Sequence, residues 1–162
     1  MGSQVLVIRV LPVKIKTLTK RAVEGNPYLV WDAFVELVAL TKYQDLAKEQ
    51  RPAHLIFWYD SEVYNGGHLQ YFGNRRMQHL AETIEALRIM GAECQRQILN
   101  DAAELFLSRQ RSSILTVENF SAAALEGEFS EFDSRIYACA PSLYEHLQKH
   151  LALHQSWFVT IT

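Results

Sequence analysis

The stretch that decides the fold runs from residue 62 to residue 74 and reads EVYNGGHLQYFGN. It follows a helical apolar run that begins at Arg51-Pro52 and must stop at Asn65-Gly66-Gly67, because both residue types accept positive φ. Beyond this stop, Tyr71 and Phe72 are predicted to dock into the core, where aromatic rings bury large apolar areas. The stretch therefore predicts two helical segments joined by a sharp turn.

Helical periodicity continues on both sides of this turn. Apolar residues three and four apart predict a helix from Tyr28 to about Glu49, with its start marked by Asn26-Pro27. Amphipathic patterns then predict an antiparallel helical pair over residues 77–106, followed by a Ser/Gly/Glu-rich loop. The later predicted elements are a short helix from Val117 to Leu125, one that ends at Ala140, and a last helix opened by Pro141. The predicted fold class is all-α or mainly α, in one multi-helix domain.

The two ends of the chain have strand character. Residues Gln4 to Lys16 are rich in Val, Ile and Leu with an interruption at Pro12, which favours an edge strand. Its obvious partner is the segment Trp157 to Ile161, so we predict a small two-stranded sheet formed by the termini. Residues 1–27 are then an extended basic N-terminal segment, and residues 28–162 are the helical domain.

The composition is that of an ordinary globular protein. The chain has 162 residues, of which 49% are hydrophobic, and 16 basic and 18 acidic side chains give a net charge of −2. Charge this balanced argues against direct nucleic-acid binding. The cations that weak nucleic-acid binding would use are Lys14, Lys16, Lys20, Arg21, Arg75 and Arg76.

The sequence predicts a cytoplasmic protein. No stretch approaches the ~20 apolar residues that cross a bilayer. The apolar run at residues 4–8 has no basic region before it and no small-residue cleavage site after it, so it is not a signal peptide. Cys94 and Cys139 form no CxxC or Cys/His cluster, and we expect both to be reduced, buried thiols.

No motif in the chain predicts catalysis, a cofactor or a metal. His146, His150 and His154 stack along one helix side, but they lie beside an apolar stripe and lack a further ligand, which favours boundary residues over a zinc site. HExxH, GxSxG and phosphate-loop patterns are absent from the sequence. The aromatic residues around the glycine turn are predicted to be core; they are Phe57, Trp58, Tyr59, Tyr64, Tyr71 and Phe72.

The residues around the turn also carry a resemblance. Glu62, Asn65, Gly66, Gly67, Gln70, Tyr71, Phe72 and Asn74 resemble the signature of a bacterial domain-of-unknown-function family that includes a DNA-mimic protein. The helices that follow are similar as well, so the likeness covers about residues 28–154. In this signature Asn65-Gly66-Gly67 would reverse the chain, and Glu62 or Gln70 would satisfy the amides of the turn.

The resemblance implies a function by binding. A DNA mimic presents acidic side chains as phosphate surrogates to a DNA-binding protein. In this sequence they would be Glu126, Glu128, Glu131 and Asp133. We therefore predict a non-enzymatic protein-interaction domain, regulatory or immunity-like, whose partner binds DNA. The alternative is an enzyme or small-ligand binder with a pocket around Glu62, His68, Gln70 and Tyr71.

Overall fold

A computed structural model describes residues 13–75, 77–111 and 114–162. The elements in chain order are β1 (Lys16–Leu18), α1 (Lys20–Gly25), α2 (Leu29–Leu40), a 3-10 turn (Tyr43–Asp45), α3 (Arg51–Arg75), α4 (Leu80–Ile89), α5 (Glu93–Leu107), α6 (Val117–Leu125), α7 (Ser130–Tyr137), α8 (Leu143–His154), a second 3-10 turn (Gln155–Trp157) and β2 (Val159–Ile161). The predicted mainly α fold with a sheet formed by the terminal regions is confirmed.

The long helix α3 organises the core. It packs against α2, α4, α7 and α8, and α4 in turn packs against α5 as the predicted helical pair. The largest fully buried side chains are Phe34, Ile56, Tyr59, Phe72, Leu87, Leu99, Leu147 and Phe158. They come from α2, α3, α4, α5, α8 and the residue before β2, so α3 shares one core with elements from both halves of the chain.

The terminal sheet is parallel. Lys16 pairs with Val159 and Leu18 pairs with Ile161. Below it lies Gln50, whose side-chain amide donates to the carbonyl oxygens of Lys14 at 2.8 Å and Trp157 at 2.6 Å. The Gln50 carbonyl accepts from the backbone N–H of Ala47 at 3.0 Å. This fully buried side chain thus joins both terminal segments to the start of α3.

Two predicted boundaries are wrong. Residues 20–25 of the segment predicted to be extended form α1, which the side chain of Thr19 caps. The helix predicted to reach Glu49 ends at Leu40, because the backbone is extended at Thr41 and again at Leu46. Tyr43 and Leu46 therefore reach the core from outside an α-helix. The predicted strand residues 4–12 lie outside the described residues.

The prediction of two reduced thiols is also wrong. Cys94, at the start of α5, is bonded to Cys139, which follows α7. The two cysteines are 45 positions apart, so sequence spacing carries no sign of the pairing. The contact exists because α7 packs against α5.

The Gln50→Leu variant should lose stability. Leucine keeps the volume but leaves two carbonyl oxygens and one N–H without partners, and each buried unsatisfied group costs about 1–3 kcal/mol. Urea denaturation should show a loss of at least about 2 kcal/mol in the free energy of unfolding. The matched control is Gln97→Leu at an exposed site, which should change it by less than about 0.5 kcal/mol. Equal stability of the two variants would contradict the role of Gln50.

The Cys94→Ser variant should also be less stable. The disulfide closes a loop in the unfolded chain and lowers its conformational entropy. For a loop of this length, the loss should raise the free energy of the unfolded state by about 4 kcal/mol, and the variant should lose this stabilisation. Urea denaturation of the oxidised wild type and the variant measures the difference. Two titratable thiols in the denatured, unreduced wild type would contradict the bond.

Candidate functional site

The helix α3 is sharply kinked inside the family-like motif. Gly66 has φ −154° and ψ 25°, and Gly67 has φ +71° and ψ −174°, so neither is helical. The two halves fold onto each other, since the rings of Tyr59 and Tyr71 have centroids 4.9 Å apart. In a straight helix twelve residues would separate them by about 18 Å. The predicted turn is therefore present, and Phe72 reaches the core as expected.

A network centred on Glu62 holds the two halves together. The amides of Gln70 and Asn74 donate to Glu62 Oε2 at 2.8 and 2.7 Å, and Arg75 Nη2 lies 3.1 Å from Oε1. The Asn65 amide donates to Gln70 Oε1 at 2.9 Å. The polar residues of the motif therefore bond mostly to each other.

The turn itself is closed by Asp133 of α7. Its Oδ1 accepts from the backbone N–H of His68 at 2.8 Å and lies 2.6 Å from His68 Nδ1. His68 Nε2 in turn lies 2.9 Å from the hydroxyl of Tyr59. The turn amide is thus satisfied by Asp133, and the prediction that Glu62 or Gln70 would do so is wrong.

The Tyr59–His68–Asp133 chain has the order of a proton relay, but two of its three members are buried. Tyr59 and His68 are fully buried, so no substrate reaches them. Burial raises the pKa of the Tyr59 hydroxyl well above its usual value, which keeps it neutral. What the chain does is fix the orientation of α7 against the kink.

Close contacts require both glycines, and conformation additionally requires Gly67. A Cβ atom on Gly67 would lie 2.3 Å from Asp133 Oδ2, and one on Gly66 would lie 2.3 Å from Gln70 Oε1. Gly67 also has the positive φ that L residues rarely adopt. The Gly-Gly pair therefore lets Asp133 and Gln70 approach the turn.

The four predicted acidic residues do not form a free acidic surface. Glu128 accepts from Arg111 Nη2 at 2.7 Å and pairs with Arg109 at 2.9 Å, while Glu126 lies 3.6 Å from Arg109. The Arg111 guanidinium lowers the pKa of the Glu128 carboxyl. Asp133 is occupied at the kink, as described above. Residues 118–133 contain no Lys or Arg, but the preceding loop supplies Arg109 and Arg111, which pair with these carboxylates.

Glu131 is the most exposed of the four. Its side chain is 80% exposed and lies 4.0 Å from Arg135 of the same helix, a separation at which an exposed pair contributes little. Glu131 is therefore the member of the set most available to a partner. Binding through these four residues remains a prediction.

The three histidines all lie on α8, as their spacing in the sequence predicts. His146 and His150 are buried, and His154 stacks on Trp157 with centroids 4.0 Å apart. Burial, and after it the neighbouring His154, lower the pKa of His150 to about 4. Within the described part of the chain no group of three or more His, Cys, Asp or Glu residues could hold a metal ion.

An open cavity of about 370 Å³ lies between α3, α7 and α8. Its lining includes Asp60, Tyr64, Tyr137 and Tyr144. Tyr64 was predicted to be core, yet it is 77% exposed, because it sits at the outer side of α3 just before the kink. Sequence reasoning missed this group, since its members lie on three helices and share no local pattern.

These features coincide with the region that the family comparison matches. The sequence pattern of one family covers residues 44–154, which is more than half of the chain. The chain belongs to the DMP19-like protein family. The match includes the whole kink, Asp133 and the tyrosine-lined cavity, whereas the strands β1 and β2 lie outside it. No curated protein and no solved structure matches the chain significantly.

None of the described helices has the length and apolar character to cross a membrane.

Gly67→Ala should strongly destabilise this member of the DMP19-like family. The new Cβ both meets Asp133 and forces a residue with a side chain into positive φ, which together should cost at least about 2 kcal/mol of unfolding free energy. Gly73→Ala is the matched control, since a Cβ there meets nothing within 4 Å. It should be neutral or stabilise by up to about 1 kcal/mol. Thermal denaturation of both variants tests the difference, and a Gly67→Ala variant as stable as wild type would refute the kink account.

Proposed function

We propose that this chain acts without catalysis, by binding a protein that itself binds DNA. The observation that carries the proposal is membership of the DMP19-like family, a family of DNA-mimic type, over residues 44–154. The proposal also fits the chemistry of the motif, whose polar groups are used to hold the fold. The surface beside the motif is then the part left to recognise a partner.

The charge distribution supports a local acidic contact. With a net charge of −2, the whole surface cannot imitate the charge of DNA. Most acidic side chains pair with a cation of the same chain, such as Glu36 with Lys16 at 2.5 Å. The carboxylates that form no salt bridge with another described residue are Asp32, Glu49, Asp60, Glu104, Glu118 and Glu145.

Two of these carboxylates lie near the exposed tyrosines. Asp60 lines the cavity, and Glu145 is on the first turn of α8 directly after Tyr144. Glu145 also accepts from the backbone N–H of Ser142 at 2.7 Å, and that hydrogen bond lowers the pKa of its carboxyl. Of the two, only Asp60 shares the cavity lining with the exposed tyrosines.

The alternative of a small-ligand pocket at the motif has weaker support. His68 and Tyr71 are buried, and Glu62 is already bonded to three side chains. The cavity that Tyr71 lines is about 40 Å³, which suits a water molecule rather than a metabolite. The basic N-terminal segment likewise gives little support to nucleic-acid binding, since Lys14 and Lys16 pair with Asp45 and Glu36.

The tagged chain should retain one stoichiometric protein partner from a lysate of its own cells. We expect this partner to be a DNA-binding protein that is released by added duplex DNA, because DNA and this chain would bind the same cationic surface. Moderate salt should also release it, because salt ions screen the attraction between the charges. Mass spectrometry identifies the protein, and a mobility-shift assay with the purified partner tests displacement of DNA. A partner that binds DNA and this chain simultaneously would contradict mimicry.

The acidic segment can be tested separately. The double variant Glu126→Gln, Glu131→Gln removes two of the predicted charges and leaves Asp133 at the kink untouched. If that segment binds the partner, the affinity should fall about tenfold while stability stays within about 0.5 kcal/mol. Unchanged affinity in a titration with the purified partner would exclude it.

A further inference from the structure

We infer that the cavity between α3, α7 and α8 receives an arginine side chain of the protein partner. This inference rests on the proposed function, because it names the chemistry by which the partner is recognised. The cavity holds one carboxylate, Asp60, and three exposed tyrosines, Tyr64, Tyr137 and Tyr144. Its volume of about 370 Å³ lies in the range of specific binding pockets.

Among the described residues, none supplies a counter-charge to the carboxylate of Asp60. It makes no hydrogen bond and no ion pair with any other side chain among residues 13–75, 77–111 and 114–162. Partial burial leaves the charged form poorly solvated, and this raises the pKa of the Asp60 carboxyl. A cation that enters the cavity would relieve this cost, so the site is complementary to positive charge.

The tyrosines supply the matching aromatic surface. Tyr64 is 77%, Tyr137 59% and Tyr144 47% exposed, so their rings are accessible to a partner side chain. They are nevertheless held in place: the Tyr137 hydroxyl donates to the Val63 carbonyl at 3.3 Å, and Tyr144 packs edge-on against Trp31 with centroids 5.0 Å apart. Tyrosine in a pocket is typical of residues that dominate binding energy at interfaces.

Elsewhere in the same molecule, arginine side chains occupy sites of this kind. Arg75 lies over the ring of Trp58, 4.3 Å from its centroid, while it pairs with Glu62 at 3.1 Å. In the second case an arginine of the loop after α5, Arg111, lies 5.0 Å from the ring centroid of Phe106 and bonds to a carboxylate. Each arginine thus combines a ring with an acid. The cavity contains tyrosine rings and the Asp60 carboxylate, but no arginine is among its lining residues.

Arginine fits better than lysine because its planar guanidinium is weakly hydrated, stacks on rings and pairs with a carboxylate through two N–H groups. Proteins that bind DNA expose arginines for phosphates and base edges. A surface arginine of that kind is therefore the occupant that connects the cavity with the proposed function. A lysine side chain and a second copy of this chain are the competing occupants.

The test is a titration of the full chain with a fluorescently labelled oligoarginine peptide, using oligolysine and neutral oligocitrulline peptides of equal length for comparison. The expected order of affinity is arginine above lysine, with no binding of citrulline. Asp60→Asn should weaken oligoarginine binding about tenfold and Tyr64→Leu about fivefold, as the loss of a charge-assisted bond and of a cation–π contact predicts. Circular dichroism should show both variants folded.

The matched control is Glu104→Gln on α5, which removes the same charge from an exposed site away from the cavity. It should change the affinity less than about twofold, because exposed charges at a distance are screened. Equal weakening by Asp60→Asn and Glu104→Gln would overturn the inference, since binding would then be unspecific attraction. Equal affinity for lysine and arginine peptides would also overturn it.

The remaining competing occupant is a second copy of this chain, and a measurement of self-association tests it. If sedimentation shows a dimer that Tyr64→Leu dissociates, the face is covered by a second copy and the inference is overturned. The inference and the proposed function also fail separately. A DNA-binding partner that binds Asp60→Asn as tightly as wild type would keep the function and remove the arginine site. Specific arginine binding at Asp60 without such a partner would keep the site and remove the function.

Discussion

The carboxylate of Asp133 at the glycine kink is the contact on which the rest of the structure depends. It accepts the backbone N–H and faces the imidazole of His68, so it closes the turn of α3 and docks α7 against it. Without this contact the turn amide would be buried without a partner, which costs about 1–3 kcal/mol. The close approach is possible only because Gly67 has no side chain. The kink, the core around it and the orientation of α7 therefore all depend on the same contact.

This arrangement separates two roles around the kink motif at residues 62–74. Glu62, Gln70 and Asn74 bond to each other across the kink, and Phe72 fills the core, so they maintain the shape. The position of the exposed residues beside the motif depends on the kink. Tyr64 stands just before the turn, and Tyr137 stands one helical turn beyond Asp133 on the docked helix. Under the proposed function, the motif would hold in place the surface that meets the partner without touching the partner itself.

The sequence allowed the helical class, the glycine turn, α6 and the terminal sheet to be predicted, because periodicity and turn residues act locally. The contacts that it could not reveal join distant segments. Arg111 reaches Glu128 from another loop, Cys94 reaches Cys139 through helix packing, and both depend on the tertiary fold. The same limit applies to the cavity, where Tyr64 resembles a core residue until α3 is seen to kink beside it.

The central claim is that the motif is scaffold and that the face beside it binds. Hydrogen exchange measured by mass spectrometry, on the chain alone and with its captured partner, tests this claim most directly. The account predicts new protection in residues 60–65 and 137–144 on binding, with the amides of residues 67–74 already protected in the free chain and unchanged. Protection gained mainly within residues 67–74 would contradict it, because the motif itself would then be the binding site.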